Sequence, residues 1–476
     1  MNMKYNLKHL LIAGFVALGL SSCDGFLNVM PSDALTTENA INNIDDVNAV
    51  LNGVYQSLLN EGYYGNDLIA RAEMGGDDVQ PTMEGKSRTD NWYRFMYRVN
   101  NSPSGLWYYP YKAISRANTL IDVIESGKIE VSEELNIAKG EALAVRALCH
   151  FNLTITYGYP YQKDNGASYG VPLVLDVPTA SDMPSRSSVA QCYAAIEQDL
   201  EDALDYLKND TLVTEGHFNK WAVLGLQARV ALYKGDYETA FSKASEVIEK
   251  GPYALVDHAD YVTSWAEEFT TESVFDLYIS ALSQGNRELI GYLVDTNGYG
   301  EYAVTDEFLA LLNENSDDVR LGLLTTDGNG ELRVFNKYPG RNGATPVNNL
   351  RVIRLSDLYL IAAESALKKA EPNQEKADEY LNAIRMRAIP SATEITATEE
   401  LVEIERRKEL AMEGHRLHDV LRKGDEITRT GGHHFLNKEV DLITVNWDDY
   451  RCVMAIPQAE IDANVNIKDQ QNPEYK

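Results

Sequence analysis

Residues 219–255 read NKWAVLGLQARVALYKGDYETAFSKASEVIEKGPYAL, and in them Ala228, Gly235, Tyr237, Ala240 and Pro252 fall at the spacings of a tetratricopeptide unit. Small residues mark where two antiparallel helices touch, glycine marks the turn and proline closes the repeat. A second pair, LRVIRLSDLYLIAAESALKKAEPNQEKADEYLNAIRMRA, covers 350–388, and a charged helix, ATEELVEIERRKELAMEGHRLHDVLRKGD, follows at 397–425. Repeat helices cannot bury their faces alone, so these units are expected to stack into one scaffold.

Working outward, the same periodicity recurs. In IDDVNAVLNGVYQSLL the apolar residues Val47, Val50, Leu51, Val54, Tyr55 and Leu58 return at three- and four-residue intervals, which gives a helix one apolar face. LWYYPYKAISRANTLIDVI, AKGEALAVRALCHFNLTITYG and SSVAQCYAAIEQDLEDALDYL follow suit. Trp107 and Tyr111, four apart on one of these helices, read as core. Between the helices, about 60–105, 158–187, 251–350 and 425–476 lack periodicity and are rich in Gly, Asn, Asp and Tyr. Loops of that length in a compact protein carry function more often than not. The expected fold is therefore mostly all-α, a tetratricopeptide-like helix-pair scaffold with a loop-rich face that carries function.

The 476 residues are 44% hydrophobic, enough for a large core, and carry a formal charge of -29. Such a charge repels phosphate at long range and argues against nucleic acid or an anionic lipid surface as partner.

The N-terminus carries Lys4 and Lys8, then an apolar run from Leu10 to Leu20 that is too short to span a bilayer, then LSSC, Leu20 to Cys23. This is the pattern of a bacterial lipoprotein box: residues 1–22 are a signal peptide and Cys23 the acylated residue. Several acyl chains at one residue suffice for stable attachment without a spanning helix. Residues 23–39, polar and proline-bearing, read as a tether, and 40–476 as a single domain. Cys149, Cys192 and Cys452 permit one disulfide or none, and the apolar company of Cys149 and Cys192 favours small buried core residues.

These pieces, in this order, resemble the SusD/RagB family: the lipobox with CDGFLNVMPSDALTTEN, WYYPYKAISRAN, EALAVRALCHFNL, ARVALYKGDYETA, LSDLYLIAAESAL with LNAIRMRA, ERRKELAMEGHRLHDVLRKG, and the closing VMAIPQAEIDANVNIKDQQNPEY. The resemblance covers nearly the whole chain. It departs in HRLHDV, where Leu417 stands in place of the family's usual aromatic. It implies an outer-membrane, cell-surface lipoprotein that binds glycans, sits as a lid on a SusC-like TonB-dependent transporter, and passes oligosaccharide to it. Capture of peptide by the same fold is the alternative.

A neutral sugar presents CH-rich ring faces and a fringe of hydroxyls, so its binder needs flat aromatic platforms and polar groups for the rim. Two segments offer both. MGGDDVQPTMEGKSRTDNWYRFMYRVNN holds Asp77, Asp78, Arg88, Asn91, Trp92 and Tyr93; FDLYISALSQGNRELIGYLVDTNGYGEY holds Tyr278, Gln284, Asn286, Tyr299 and Tyr302. Packing is the competing role for Trp92 and for each tyrosine, since 28 tyrosines cannot all line one site. Hydrolysis would need two facing carboxylates about 5–9 Å apart; no enzyme motif is present, and no catalysis is expected.

His415 and His418, three apart on one helical face beside Asp419, suggest a metal, but no third ligand follows at fixed spacing. Glu405, Arg406, Arg407, Glu409, Glu413 and Arg416 around them read instead as an ion-pair lattice between helices. His433-His434 is a weaker pair of the same kind. DTNGYGEY and DGNGEL offer loop oxygens yet fail the EF-hand pattern, so no cofactor is expected and a structural calcium stays open.

Overall fold

In a computed structural model, the described residues are 41–82, 88–209, 216–328, 330–430 and 443–475. The segments read as signal peptide and tether, Cys23, and His433-His434 lie outside them. The first helices are α1 (Ile44–Leu58), α2 (Asp67–Met74), α3 (Asp90–Tyr93), α4 (Gly105–Glu125), α5 (Glu133–Tyr157), α6 (Val189–Tyr206), α7 (Lys220–Lys234) and α8 (Tyr237–Lys250). Then come α9 (Ile290–Val294), α10 (Asp306–Leu312), α11 (Leu355–Lys368), α12 (Gln374–Ala388), α13 (Glu399–Leu410), α14 (Arg416–Lys423) and α15 (Gln458–Ala463).

The 219–255 pair forms where its sequence placed it; the second pair is corrected at its start, where Leu350–Arg354 is a strand, and the charged helix breaks at 411–415 into α13 and α14. Asn219 caps α7, its side chain accepting from Ala222 N, and α7 ends at Gly235 with φ 84°, a left-handed conformation that a Cβ disfavours. Asp236 then caps α8 by accepting from Thr239 N. Ala228 and Ala240 are fully buried where α7 meets α8. α8 in turn packs on α11, α11 on α12, α1 on α4, and α4 and α6 on α5. α6 starts with a reciprocal capping box, Ser188 with Gln191. Cys149, Cys192 and Cys452 are free and buried.

All four stretches expected as loops hold regular structure, 158–187 only a single 3-10 turn at Tyr161–Lys163. Among the described residues there are four two-stranded antiparallel sheets. Their strands are β1 (Val79–Pro81), β2 (Ser273–Leu277), β3 (Tyr302–Val304), β4 (Leu324–Thr326), β5 (Leu332–Phe335), β6 (Leu350–Arg354), β7 (Ile427–Thr428) and β8 (Thr444–Val445). Each strand is too short to repeat a period-two pattern, and β1, β2 and β3 are buried throughout, so no alternation betrays them.

The charged helix α13 and the turn after it supply the lattice. Glu409 accepts from Arg354 at 2.8 Å, Arg387 at 2.6 Å and Arg320 at 3.2 Å, all buried. Glu413 holds Arg354 at 2.7 Å and Lys337 at 2.6 Å. Glu272, next to β2, reaches Arg387 at 2.7 Å and Arg354 at 3.1 Å, which ties the β2/β6 ribbon to α13. Arg406 bridges Asp357 and Asp419, each at 3.1 Å, and Arg422 reaches Glu364 at 2.6 Å.

This interior fixes the response to acid. Burial would raise the Glu364 and Glu413 carboxyls, but Arg422 for the first, and Arg354 with Lys337 for the second, outweigh it and hold each at about 2. Burial lowers His150 to about 3 and His415 to about 4. Burial also raises Asp67 and Glu73 to about 7 and Asp276 to about 6. A lowered histidine stabilises the fold above its ordinary 6.5 and loses that contribution as pH falls. A raised carboxyl does the opposite, adding stability as pH falls from its folded value to its ordinary one. These two sets oppose each other between 6.5 and the ordinary glutamate value of 4.5. Below 4.5 the raised carboxyls are largely saturated, while the histidines and the lowered glutamates all lose stability together. Urea midpoints measured across pH should therefore be nearly level down to about 4.5 and fall steeply below it; a rising midpoint in acid would contradict the lattice.

Candidate functional site

The two segments singled out in the sequence meet. β1 and β3 pair antiparallel with Val79 opposite Val304 and Pro81 opposite Tyr302. Thr82 Oγ1 donates to Gly300 O, and Ile290 N donates to Gly65 O at 2.8 Å. Arg88 bridges them: its backbone N–H donates to Glu301 Oε2 at 3.2 Å, its Nε to Glu288 at 3.4 Å, and its guanidinium lies 3.7 Å from the Tyr299 ring centroid. Arg88 and Tyr299 are thus brought together, and that face of the ring is taken.

Trp92, Tyr93, Tyr302 and Asp78 are a correction to the expectation. Trp92 is 5% exposed against Tyr97 and leaves no ring face free to stack a sugar. Tyr93 is buried under the Arg429 guanidinium at 4.3 Å, and Tyr302 is buried with its hydroxyl on Asn66 at 3.1 Å. Buried Asp78 accepts from Arg407 Nε at 3.1 Å, while Asp77 accepts from Arg416 Nε at 2.6 Å. The preceding glycines explain why: a Cβ on Gly76 would stand 2.7 Å from Arg416 Cγ, and one on Gly75 2.9 Å from Leu417 Cδ2. The loop lies flat on α14, and its carboxylates reach arginines rather than solvent. Asn91 is exposed at the surface of this lobe.

Tyr278 behaves differently. It follows β2 and is 42% exposed, with its ring stacked on Phe269 at 6.3 Å and 20° and Arg341 Cζ 5.4 Å from its centroid. Arg341 Nη1 donates to Asn349 Oδ1 at 2.8 Å, and the same oxygen accepts from Ile279 N at 3.1 Å, so the ring is braced from beneath. It divides two openings. One, about 410 Å³, is lined by Gln56, Asn60, Tyr109, Lys112 and Asn286; the other, about 390 Å³, by Asn52, Gln56, His217, Glu268 and Phe269. Amides around an exposed, braced ring are what a sugar's rim and face require.

Asn286 was legible in the sequence and lines this cleft; Gln284 is exposed beside it. Gln56 and Tyr109 were not, because they sit near the ends of helices read as scaffold, and Asn60, in the turn after α1, was not singled out. Their signal is a glycine pair. A Cβ on Gly105 would meet Gly62 O at 2.6 Å and Gly62 Cα at 2.8 Å. The turn after α1 therefore touches the start of α4 backbone to backbone, which sets Asn60 beside Tyr109.

Against known proteins, a family model described as "Starch-binding associating with outer membrane" matches residues 25–232, and one described as "SusD family" matches 328–475. The structure aligns with a putative sugar binding protein of Bacteroides vulgatus at TM-score 0.84 and 35% identity, covering 92% of this chain and 100% of that one. The chain belongs to the SusD family. A SusD superfamily protein of Bacteroides thetaiotaomicron aligns at TM-score 0.85 and 35% identity, covering 91% of this chain and 100% of that one. SusD-like protein P25 of Formosa agariphila is 23% identical over 88% of this chain and 90% of its own length.

Within this SusD-family chain the histidine pair on α14 is interior. His415 and His418 are buried, and His418 Nε2 lies 3.5 Å from Arg71 Nη1. Burial, with Arg71 close by, pushes His418 well below its ordinary value. Among the described residues no cluster of three His, Cys, Asp or Glu could hold a metal ion. Asp295, in the first loop weighed for calcium, accepts from Asn297 N at 2.9 Å and from Thr345 Oγ1 at 2.9 Å. Leu417 is buried against Gly75.

Proposed function

We propose that this SusD-family chain is a cell-surface lipoprotein, anchored to the outer membrane through Cys23, that captures oligosaccharide at the Tyr278 cleft and hands it to a SusC-like TonB-dependent transporter. The observation that carries the reading is the exposed Tyr278 ring, braced by Phe269 and ringed by Gln56, Asn60 and Asn286. The family description, starch binding in association with the outer membrane, supports it, as does the sugar binding ascribed to the Bacteroides vulgatus protein. Binding proceeds without cleavage: the two carboxylates that line the cleft, Glu61 and Glu268, belong to different openings on either side of Tyr278, where a glycosidase needs a facing pair. Affinity is modest, because the sugar must leave again toward the channel.

Calorimetric titration with starch, laminarin, xylan, pectin and mucin glycan, and with mixed peptides, tests this. Saturable heat with at least one polysaccharide, at a dissociation constant of roughly micromolar to millimolar, is expected. Heat with peptides alone, or with nothing, overturns it.

A further inference from the structure

A larger groove, about 980 Å³, runs along the other flank of α4. One wall is the 172–184 segment, the other the chain around α15. The walls are bolted in place. Tyr111 Oη donates to Pro172 O at 2.8 Å, Asn118 Nδ2 to Val174 O at 2.9 Å, and Asn464 Nδ2 to Pro184 O at 2.8 Å. The groove is therefore preformed, and its contents are unusual. Tyr108 is 55% exposed, and Leu175, Val177 and Met183 are exposed beside it, so four of the twelve large apolar side chains open to water among the described residues gather around one concavity.

The groove and the Tyr278 cleft share two lining residues, Lys112 and Arg116. These stand one turn apart on α4 and line both spaces. Arg116 is tied down, its Nη1 donating to Ser57 Oγ at 2.8 Å. The Lys112 ammonium lies 5.6 Å from the Tyr108 centroid, and no carboxylate among the described residues pairs with it. The Tyr108 ring meets Tyr109, which lines the cleft, edge to face at 5.2 Å. Rings and a free ammonium thus continue from cleft to groove across α4.

We propose that cleft and groove form one continuous site for an extended glycan chain that crosses α4 at Lys112, with acetylated sugars seated against Leu175, Val177 and Met183. This rests on the reading that the Tyr278 cleft takes a sugar. The chemistry follows from the walls. Aliphatic side chains offer no partner to a hydroxyl, and burying an unpaired hydroxyl is costly. A methyl in its place gains about fourfold in affinity when buried. Lys112 supplies a donor to hydroxyl or ring oxygens where the chain passes from one space to the other.

The full chain should be titrated with fragments graded from disaccharide to octasaccharide, prepared from acetylated xylan, chitin and mucin glycan and from their deacetylated counterparts. In the series that binds, affinity is expected to climb at least tenfold with length, and deacetylation should remove most of that climb. In Tyr108→Ala and Val177→Asn, each compared with its own disaccharide affinity, the climb should flatten; in Tyr278→Ala every length should weaken. Equal affinity at all lengths, or a climb that survives both groove variants, overturns the continuous site and leaves the Tyr278 cleft standing. No heat with any fragment or polysaccharide overturns both.

Discussion

Replacing Glu409 with alanine is expected to lower the unfolding free energy by about 3–5 kcal/mol, read from guanidinium or urea midpoints. The carboxylate is the shared partner of Arg320, Arg354 and Arg387, all buried. Burial alone would raise its pKa, yet Arg387, Arg354 and Arg320 drive it well below the ordinary range. Removal leaves cations in a medium that cannot solvate them, although Glu272, Glu405 and Glu413 retain part of the compensation. Glu409→Gln keeps the shape without the charge and should fall between. Glu399→Ala, which breaks only the exposed pair with Lys368 at 3.2 Å, should cost no more than about 1 kcal/mol. Equal losses at Glu409 and Glu399 would show that the lattice is inert. Because Glu409 and Glu272 share Arg354 and Arg387, the Glu409 variant should also loosen the ribbon that carries Tyr278.

Tyr278→Ala is expected to weaken glycan binding by roughly 30-fold, about 2 kcal/mol, the scale of a central aromatic anchor. Its unfolding midpoint should barely move, since much of the ring already faces water and Arg341 keeps its bond to Asn349. Trp92→Ala should show the reverse, a loss of stability of about 3–5 kcal/mol from a buried cavity. Binding lost with Trp92→Ala at unchanged stability, or retained with Tyr278→Ala, would move the site back to the Trp92 loop.

That contrast shows what the sequence discloses. Helix pairs such as α7 with α8 are legible because spacing, caps and turn glycine agree over a long window. The lattice is legible too, because no other arrangement seats so many charges on helices that must pack. The ligand face is legible only in outline. Trp92, Tyr93, Tyr278 and Tyr302 have similar local company, and burial alone separates them. What buries Tyr302 is the pairing of β1 with β3, while Tyr278 stands open just past the end of the β2/β6 ribbon; both depend on pairings of distant segments that neither partner encodes. Gln56 and Tyr109 escape for the opposite reason: strong helical periodicity labels them as scaffold, and only the Gly62 to Gly105 approach turns those helix ends toward a cavity.

The stitching of that face also sets a timetable. Thr82 waits for Gly300, 218 residues further along, and Arg186 for Asn472, 286 further along. Local helix hairpins can zip up as the polypeptide emerges, whereas closures of this span are slow and come last. A nascent or truncated chain that ends before about residue 300 would own most of its helices and every residue that lines the Tyr278 cleft, yet lack β6 and the Arg341–Asn349 brace, so appetite for ligand is acquired only once synthesis has passed that strand.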